Sequence, residues 1–186
     1  MTSIAAPAAR VRRAYVDQAA ISYSFYVVGA SAAFIAVALS LSESQAGLHS
    51  SFMAAGMIVA GLAGDRFDLL AGGRRVHLMA MNLLAVALVL IAWAPNVVVT
   101  LTAALGIGLG AGTMFGHVNQ TLGAGGGTLA RLQLTRSAFV AKVSQLMAPV
   151  AIALGAVVGL DWGFVVVPVL VLLGALAVWA RSVGSE

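Results

Sequence analysis

The chain has 186 residues, 61% of them hydrophobic and only 9% charged, and its mean hydropathy is +1.03. A soluble domain is about 25% charged, and one this small must cover itself with polar groups. The composition therefore excludes a soluble enzyme, a nucleic-acid-binding domain and a disordered tail, and marks an all-α membrane protein.

The ten basic residues outnumber the six acidic ones, for a formal charge of +4. Nine of the ten are arginine, and alanine and glycine are abundant, which points to a GC-rich bacterial genome. There is no cysteine, hence no disulfide framework and no thiolate metal site.

A bilayer core of about 30 Å needs roughly 20 apolar residues per helix. Six stretches qualify: Ala19–Leu41, His49–Gly64, Val76–Ala94, Val97–Gly116, Ser137–Gly159 and Trp162–Ala180. Together they form a single six-helix transmembrane domain spanning 1–186. The second stretch is the shortest, and is expected to run on toward Phe67 or to start before His49. The first is too long for a secretory signal and is followed by five more.

Six spans put both termini on one side. Arg10, Arg12 and Arg13 precede span 1, and Arg66, Arg74 and Arg75 follow span 2. Arg131 and Arg136 lie between spans 4 and 5, Lys142 opens span 5, and Arg181 follows span 6. The opposite loops carry only Glu43 and Asp161. By the positive-inside rule both termini are cytoplasmic, in a bacterial plasma (inner) membrane. The high pI is then a topological signal and not a nucleic-acid one. Trp93, Trp162 and Trp179 fall at span ends, where indole rings prefer the interface.

Within the spans, Gly56, Ala60 and Gly64 form one small-residue stripe. Span 4 carries Gly106, Gly108, Gly110, Gly112 and Gly116. Stripes of this kind permit close helix crossing in lipid, inside the unit or against another one. The run Gly106–Gly110 is no nucleotide loop, because it sits inside a span and not between strand and helix. Gly125–Gly127 breaks the loop between spans 4 and 5. Pro149 and Pro168 each remove a helical hydrogen bond and are expected to kink spans 5 and 6.

The end of span 2 reads Gly61-Leu-Ala-Gly-Asp65-Arg66-Phe and is followed by Gly72-Gly73-Arg74-Arg75. This resembles the loop 2–3 signature of the major facilitator superfamily, Gly-x-x-x-Asp-Arg-x-Gly-Arg-Arg, with Asp68–Gly72 inserted before its second half. Ser50-Ser51, the segment Asn119–Arg136, and the pair Pro149 and Gly155 fit the same resemblance. It implies two inverted three-helix repeats, and it matches one half of a twelve-span carrier. It also implies that Gly61, Asp65, Arg66, Gly73, Arg74 and Arg75 gate transport by closing against a second half. Physically, Asp65 near a helix C-terminus opposes the macrodipole and calls for Arg66, Arg74 or Arg75 as partner. A plain positive-inside anchor is the other reading.

In such a fold spans 1 and 4 line the cavity. Tyr23 and Tyr26, three residues apart, are candidates for a substrate wall, or else interface aromatics. Lys142 is the ionisable residue inside a span, with Gln145 and Pro149 on roughly its face. It is a candidate for an anionic substrate, or else a snorkelling lysine. Asn82 is expected to bond between helices. His117, Asn119 and Gln120 are expected in a loop, and His49 and His77 receive no role. Asp17, Asp65 and Asp161 are edge residues.

No metal cluster, nucleophile–base pair or phosphate loop is visible, so neither enzyme nor cofactor is expected. The expectation is a transporter of a small solute by alternating access. Its partners would be the lipid bilayer and a second six-helix unit, as a homodimer or a separate chain. The alternatives are an inactive truncated half, with Ser182–Glu186 as the start of a linker, or a non-transport accessory or assembly subunit.

Overall fold

The computed structural model describes residues 5–182 and contains six α-helices. They are α1 (Ala5–Ala38), α2 (Glu43–Ala71), α3 (Gly73–Trp93), α4 (Val97–Gly123), α5 (Gly127–Val157) and α6 (Val167–Ser182), the last entered through a 3₁₀ turn, Trp162–Val166. The side chains of Trp179 and Arg181 and the tail beyond Ser182 lie outside the described residues.

Five helices, α1 to α5, are long and apolar enough to cross a membrane. The sixth has 16 residues of α-helix, about 24 Å, and its 3₁₀ turn adds about 10 Å. The aliphatic side chains on the outer faces point away from the protein: Leu62 is 80% exposed, Leu70 85% and Val157 83%. Water would penalise such a surface by about 25 cal/mol per Å². Lipid would not, so the fold suits a multi-pass protein embedded in a membrane.

The helices run past the apolar stretches at one end. The Ala-rich segment before Ala19 continues α1 down to Ala5, α2 extends seven residues past Gly64 to Ala71, and α4 extends to Gly123. Hydropathy sees only the lipid-compatible part of a helix. Backbone hydrogen bonding carries the helix on until something stops it.

The stops are identifiable. Ser40 (φ 52°) ends α1, and Ser42 opens α2 with a reciprocal capping box to Gln45. A single residue, Gly72 at φ 83°, separates α2 from α3. Asp68–Ala71, which separate Asp65-Arg66 from Gly73-Arg74-Arg75 in sequence, form the last turn of α2 and not a loop. Ala94 is left-handed before Pro95, and the Asn96 side chain accepts from the Val99 amide at 3.0 Å. Gly126 (φ 64°) and Gly127 (φ 50°) make the turn into α5.

Two expectations about proline come out differently. Pro149 does lie inside α5. Pro168 does not interrupt a helix: it occupies the first turn of α6, where its missing N–H costs no helical bond. The chain enters that helix through the 3₁₀ turn instead.

In the bundle α2 lies along α4, and α5 lies along α1. α3 packs on α4, while α6 with its 3₁₀ turn packs on α1 and α3. α1 and α4 touch each other at the centre. The glycines decide the α4 contacts. A Cβ at Gly108 would collide with the Met53 carbonyl, and one at Gly56 with the Leu105 carbonyl, so α2 and α4 meet backbone to backbone. The neighbouring face of α4 uses Gly110, where a Cβ would stand 2.7 Å from the Ala80 oxygen of α3. The small-residue stripes are thus consumed inside the unit. They part at the basic end, where a Cβ on Gly64 or Gly116 would meet nothing.

At the opposite end α2 and α4 are pinned by a buried polar contact. His49 is 1% exposed, and its Nε2 lies 2.8 Å from Thr100 Oγ1.

Candidate functional site at the basic end of the bundle

The helical extensions carry ionisable residues of four helices to one depth. On α1, Asp17 is buried, with one oxygen 3.7 Å from Arg13 Nε and 3.5 Å from His77 Nε2 of α3. The His77 ring meets the His117 ring of α4 edge to face, centroids 5.5 Å apart. His117 Nε2 in turn lies 3.4 Å from Asp68 of α2. The result is a chain of carboxylate, imidazole, imidazole and carboxylate linking α1, α3, α4 and α2.

A buried carboxylate is tolerated only with cationic or hydrogen-bonding partners, and Asp17 has two basic neighbours. At 3.4 to 3.7 Å these contacts are longer than hydrogen bonds. Asp17 Oδ1, Asp68 Oδ1 and His77 Nε2 are buried with no hydrogen-bond partner among the described residues. Within those residues no group of three or more His, Cys, Asp or Glu side chains has the arrangement of a metal site.

Beside this chain lies a cavity of about 470 Å³ between α1, α3 and α4, lined among others by Arg10, Arg13, Asp17, Arg74, His77 and His117. A smaller one of about 80 Å³ lies between α2 and α4, where the glycine stripes diverge. Gly61, Asp65, Asp68, Gly116 and His117 are among its walls.

The residues singled out from the motif are placed as follows. Gly61, Asp65, Arg66, Arg74 and Arg75 are exposed, and Gly73 opens α3. Asp65 is not at the end of α2 but within it, and the carboxylate that turns inward to a basic partner is Asp68, three residues on. With α2 continued to Ala71, Asp68 lies on the side that meets His117 of α4.

The candidates for a substrate wall are not gathered into one pocket. The Tyr23 hydroxyl donates to the Val165 carbonyl of the 3₁₀ turn at 2.7 Å. Tyr23 also lines a cavity of about 320 Å³ with Ser144, Met147 and Pro168, among others. Tyr26 is exposed, as is Lys142, whose Nζ donates to Gln145 Oε1 at 3.1 Å. The three-residue spacing of the tyrosines leaves one turned inward and the other outward. Asn82 bonds to Leu78 O in its own helix and not to a neighbour. His117, Asn119 and Gln120 are helical, because α4 outruns its apolar stretch.

Sequence reasoning missed Asp17, Asp68, His77 and His117 as a group. A signal existed: each falls within four residues of an expected span end on the arginine-rich side. Equal depth in neighbouring helices is what lets them meet.

No protein-family model matches the chain, and no curated protein matches it.

Proposed function

We propose that the chain is one six-helix unit of a secondary transporter of the major facilitator type. It would move a small solute by alternating access against a second six-helix unit, a further copy or a separate chain. Both termini would face the cytoplasm of a bacterial plasma membrane.

The observation that carries this reading is the pairing of helices. With the 3₁₀ turn taken as part of α6, exchanging α1 with α4, α2 with α5 and α3 with α6 maps the packing onto itself. The α2–α4 pair becomes α5–α1, and α3–α4 becomes α6–α1. The central α1–α4 contact and the α3–α6 contact map to themselves. That is the pattern expected of two inverted three-helix repeats, whose carriers bind substrate at a repeat interface near mid-membrane. The exposed motif residues Asp65 and Arg66 support the same reading, since a gate that closes on a second unit must be accessible in the first.

The test combines topology and flux. The chain has no native cysteine, so single engineered thiols report without background. Ser44→Cys should react with a membrane-impermeant maleimide in intact cells, and Thr128→Cys only after permeabilisation. The reverse pattern would overturn the orientation. Cross-linking in the membrane should then yield a species of at least twice the monomer mass. If the chain is strictly monomeric and proteoliposomes containing it show no solute flux against a broad panel, the transporter reading fails.

A further inference from the structure

We propose that Asp17, His77, His117 and Asp68 form a binding site for a single proton at the basic end of the bundle, and that the ring holding it decides which helices are tied. On His77 the proton ties α3 to α1. On His117 it ties α4 to α2.

His77 Nε2 lies 3.5 Å from Asp17 Oδ2, and His117 Nε2 lies 3.4 Å from Asp68 Oδ1. Neither contact is a hydrogen bond, and His77 Nε2, Asp68 Oδ1 and Asp17 Oδ1 are buried without one. Buried polar atoms are rarely left so. A neutral imidazole carries hydrogen on one of its two nitrogens, an imidazolium on both. The Nε2 lone pair binds the added proton, and the new N–H donates to the carboxylate, which stays ionised. Such charge-assisted bonds are about 2.7–2.9 Å long. Each protonation therefore shortens its contact by roughly half an ångström and strengthens the tie between its two helices.

The site takes one proton and not two. The ring centroids are 5.5 Å apart, and two imidazoliums at that distance repel each other. Asp17 and Asp68 are both negative, and Arg13, 3.7 Å from Asp17, already offsets one of them. A single imidazolium completes the balance. The other charged groups facing these four are Arg10 of α1, Asp65 of α2 and Arg74 of α3. All three are exposed, so water and salt screen them. Among the described residues, α5 and α6 place no charged side chain on either adjoining cavity.

His117 lines both cavities, the one of about 470 Å³ between α1, α3 and α4 and the one of about 80 Å³ between α2 and α4. Asp17 and His77 line the first, and Asp68 lines the second. The proton thus has a route of exchange at each end of the chain of contacts. This inference concerns proton uptake by the folded chain. It stands apart from the transporter reading and is tested without solute flux.

The test places the whole chain, carrying isotopically labelled histidine, in phosphatidylcholine nanodiscs. It is titrated from about pH 8 to about pH 5, the range in which imidazole changes charge. Magnetic resonance of the ring nitrogens distinguishes imidazole from imidazolium. The chain has three histidines, so H77Q and H117Q assign the signals, with His49 at the far end, beside Thr100, as reference. The two rings together should take up about one proton, shared between them. Asp68→Asn should move it to His77, and Asp17→Asn should move it to His117. Two protons bound independently, or none, would overturn the proposal. So would a carboxylate substitution that leaves the ring of the opposite pair unchanged. Should Asp17→Asn fail to fold, Asp68→Asn, at the more hydrated end, decides alone.

Discussion

The rings of His77 and His117 meet edge to face, 5.5 Å between centroids with their planes at 76°. Each then directs Nε2 toward a carboxylate on a different helix, Asp17 at 3.5 Å and Asp68 at 3.4 Å. Two imidazole–carboxylate contacts that each join two helices thereby become one chain across four. The two ends differ in burial, the Asp17 side chain being 6% exposed and that of Asp68 25%. That difference sets their expected energetics.

Removing a charge from a buried pair leaves its partner uncompensated, which costs about 3–5 kcal/mol. Asp17→Asn should therefore destabilise the protein by about 3 kcal/mol. Asp68→Asn, more hydrated, should cost no more than about 1 kcal/mol, as for exposed pairs. Thermal or denaturant unfolding in a mild detergent measures both. Equal losses would show that burial is not what distinguishes the two ends.

The glycines of α2 and α4 divide into those pressed against backbone and those facing space. Gly108→Ala sets a methyl group against the Met53 carbonyl and should cost about 2–3 kcal/mol, the scale of overpacking where the neighbour cannot move. Gly64→Ala meets nothing and should be neutral or stabilising by about 0.5–1 kcal/mol, since alanine is the better helix former. Melting midpoints of the two variants, measured side by side, check the contrast.

At the far end the contact between His49 and Thr100 joins α2 to α4 in a buried setting. His49→Ala should cost about 1–3 kcal/mol, because the remaining hydroxyl loses a buried partner. In a double-mutant cycle with Thr100→Val the two changes should couple by at least about 0.5 kcal/mol. Strict additivity would mean that the 2.8 Å contact contributes nothing.

Asp65 and Asp17 should part company in function. Asp65 is exposed on α2, so Asp65→Asn should leave insertion and melting unchanged, within about 0.5 kcal/mol. If the transporter reading holds, the same variant should cut solute flux. Flux equal to wild type in a reconstituted assay would remove Asp65 from any gating role.

Much of the architecture was legible before the fold was known. The glycine and alanine stripes of α2 and α4 were visible as i, i+4 patterns, and their tight crossing follows from having no side chain to separate the backbones. The starts of α2 and α4, set by the Ser42–Gln45 capping box and the Asn96 cap, were not read from hydropathy. Helix ends beyond the apolar stretches were not legible, because hydropathy reports what lipid tolerates and not where hydrogen bonding stops. The shift from Asp65 to Asp68 as the inward acid follows from that. Each residue of helix turns the chain by 100°, so with α2 continued to Ala71 Asp68, three residues on, lies about 60° around the helix from Asp65, on the side that meets His117 of α4.

What the linear order of residues determined is the solvent this chain is built for. Helices with apolar outer faces, basic residues gathered at one end and small residues where helices cross are properties of composition and period. What only the packed bundle decided is which polar groups meet. Asp17, Asp68, His77 and His117 come from four helices and are separated by up to 100 positions. Each reads alone as an unremarkable residue at a span edge. Their proximity depends on the lateral order and rotation of the helices, which side-chain packing sets and local sequence does not.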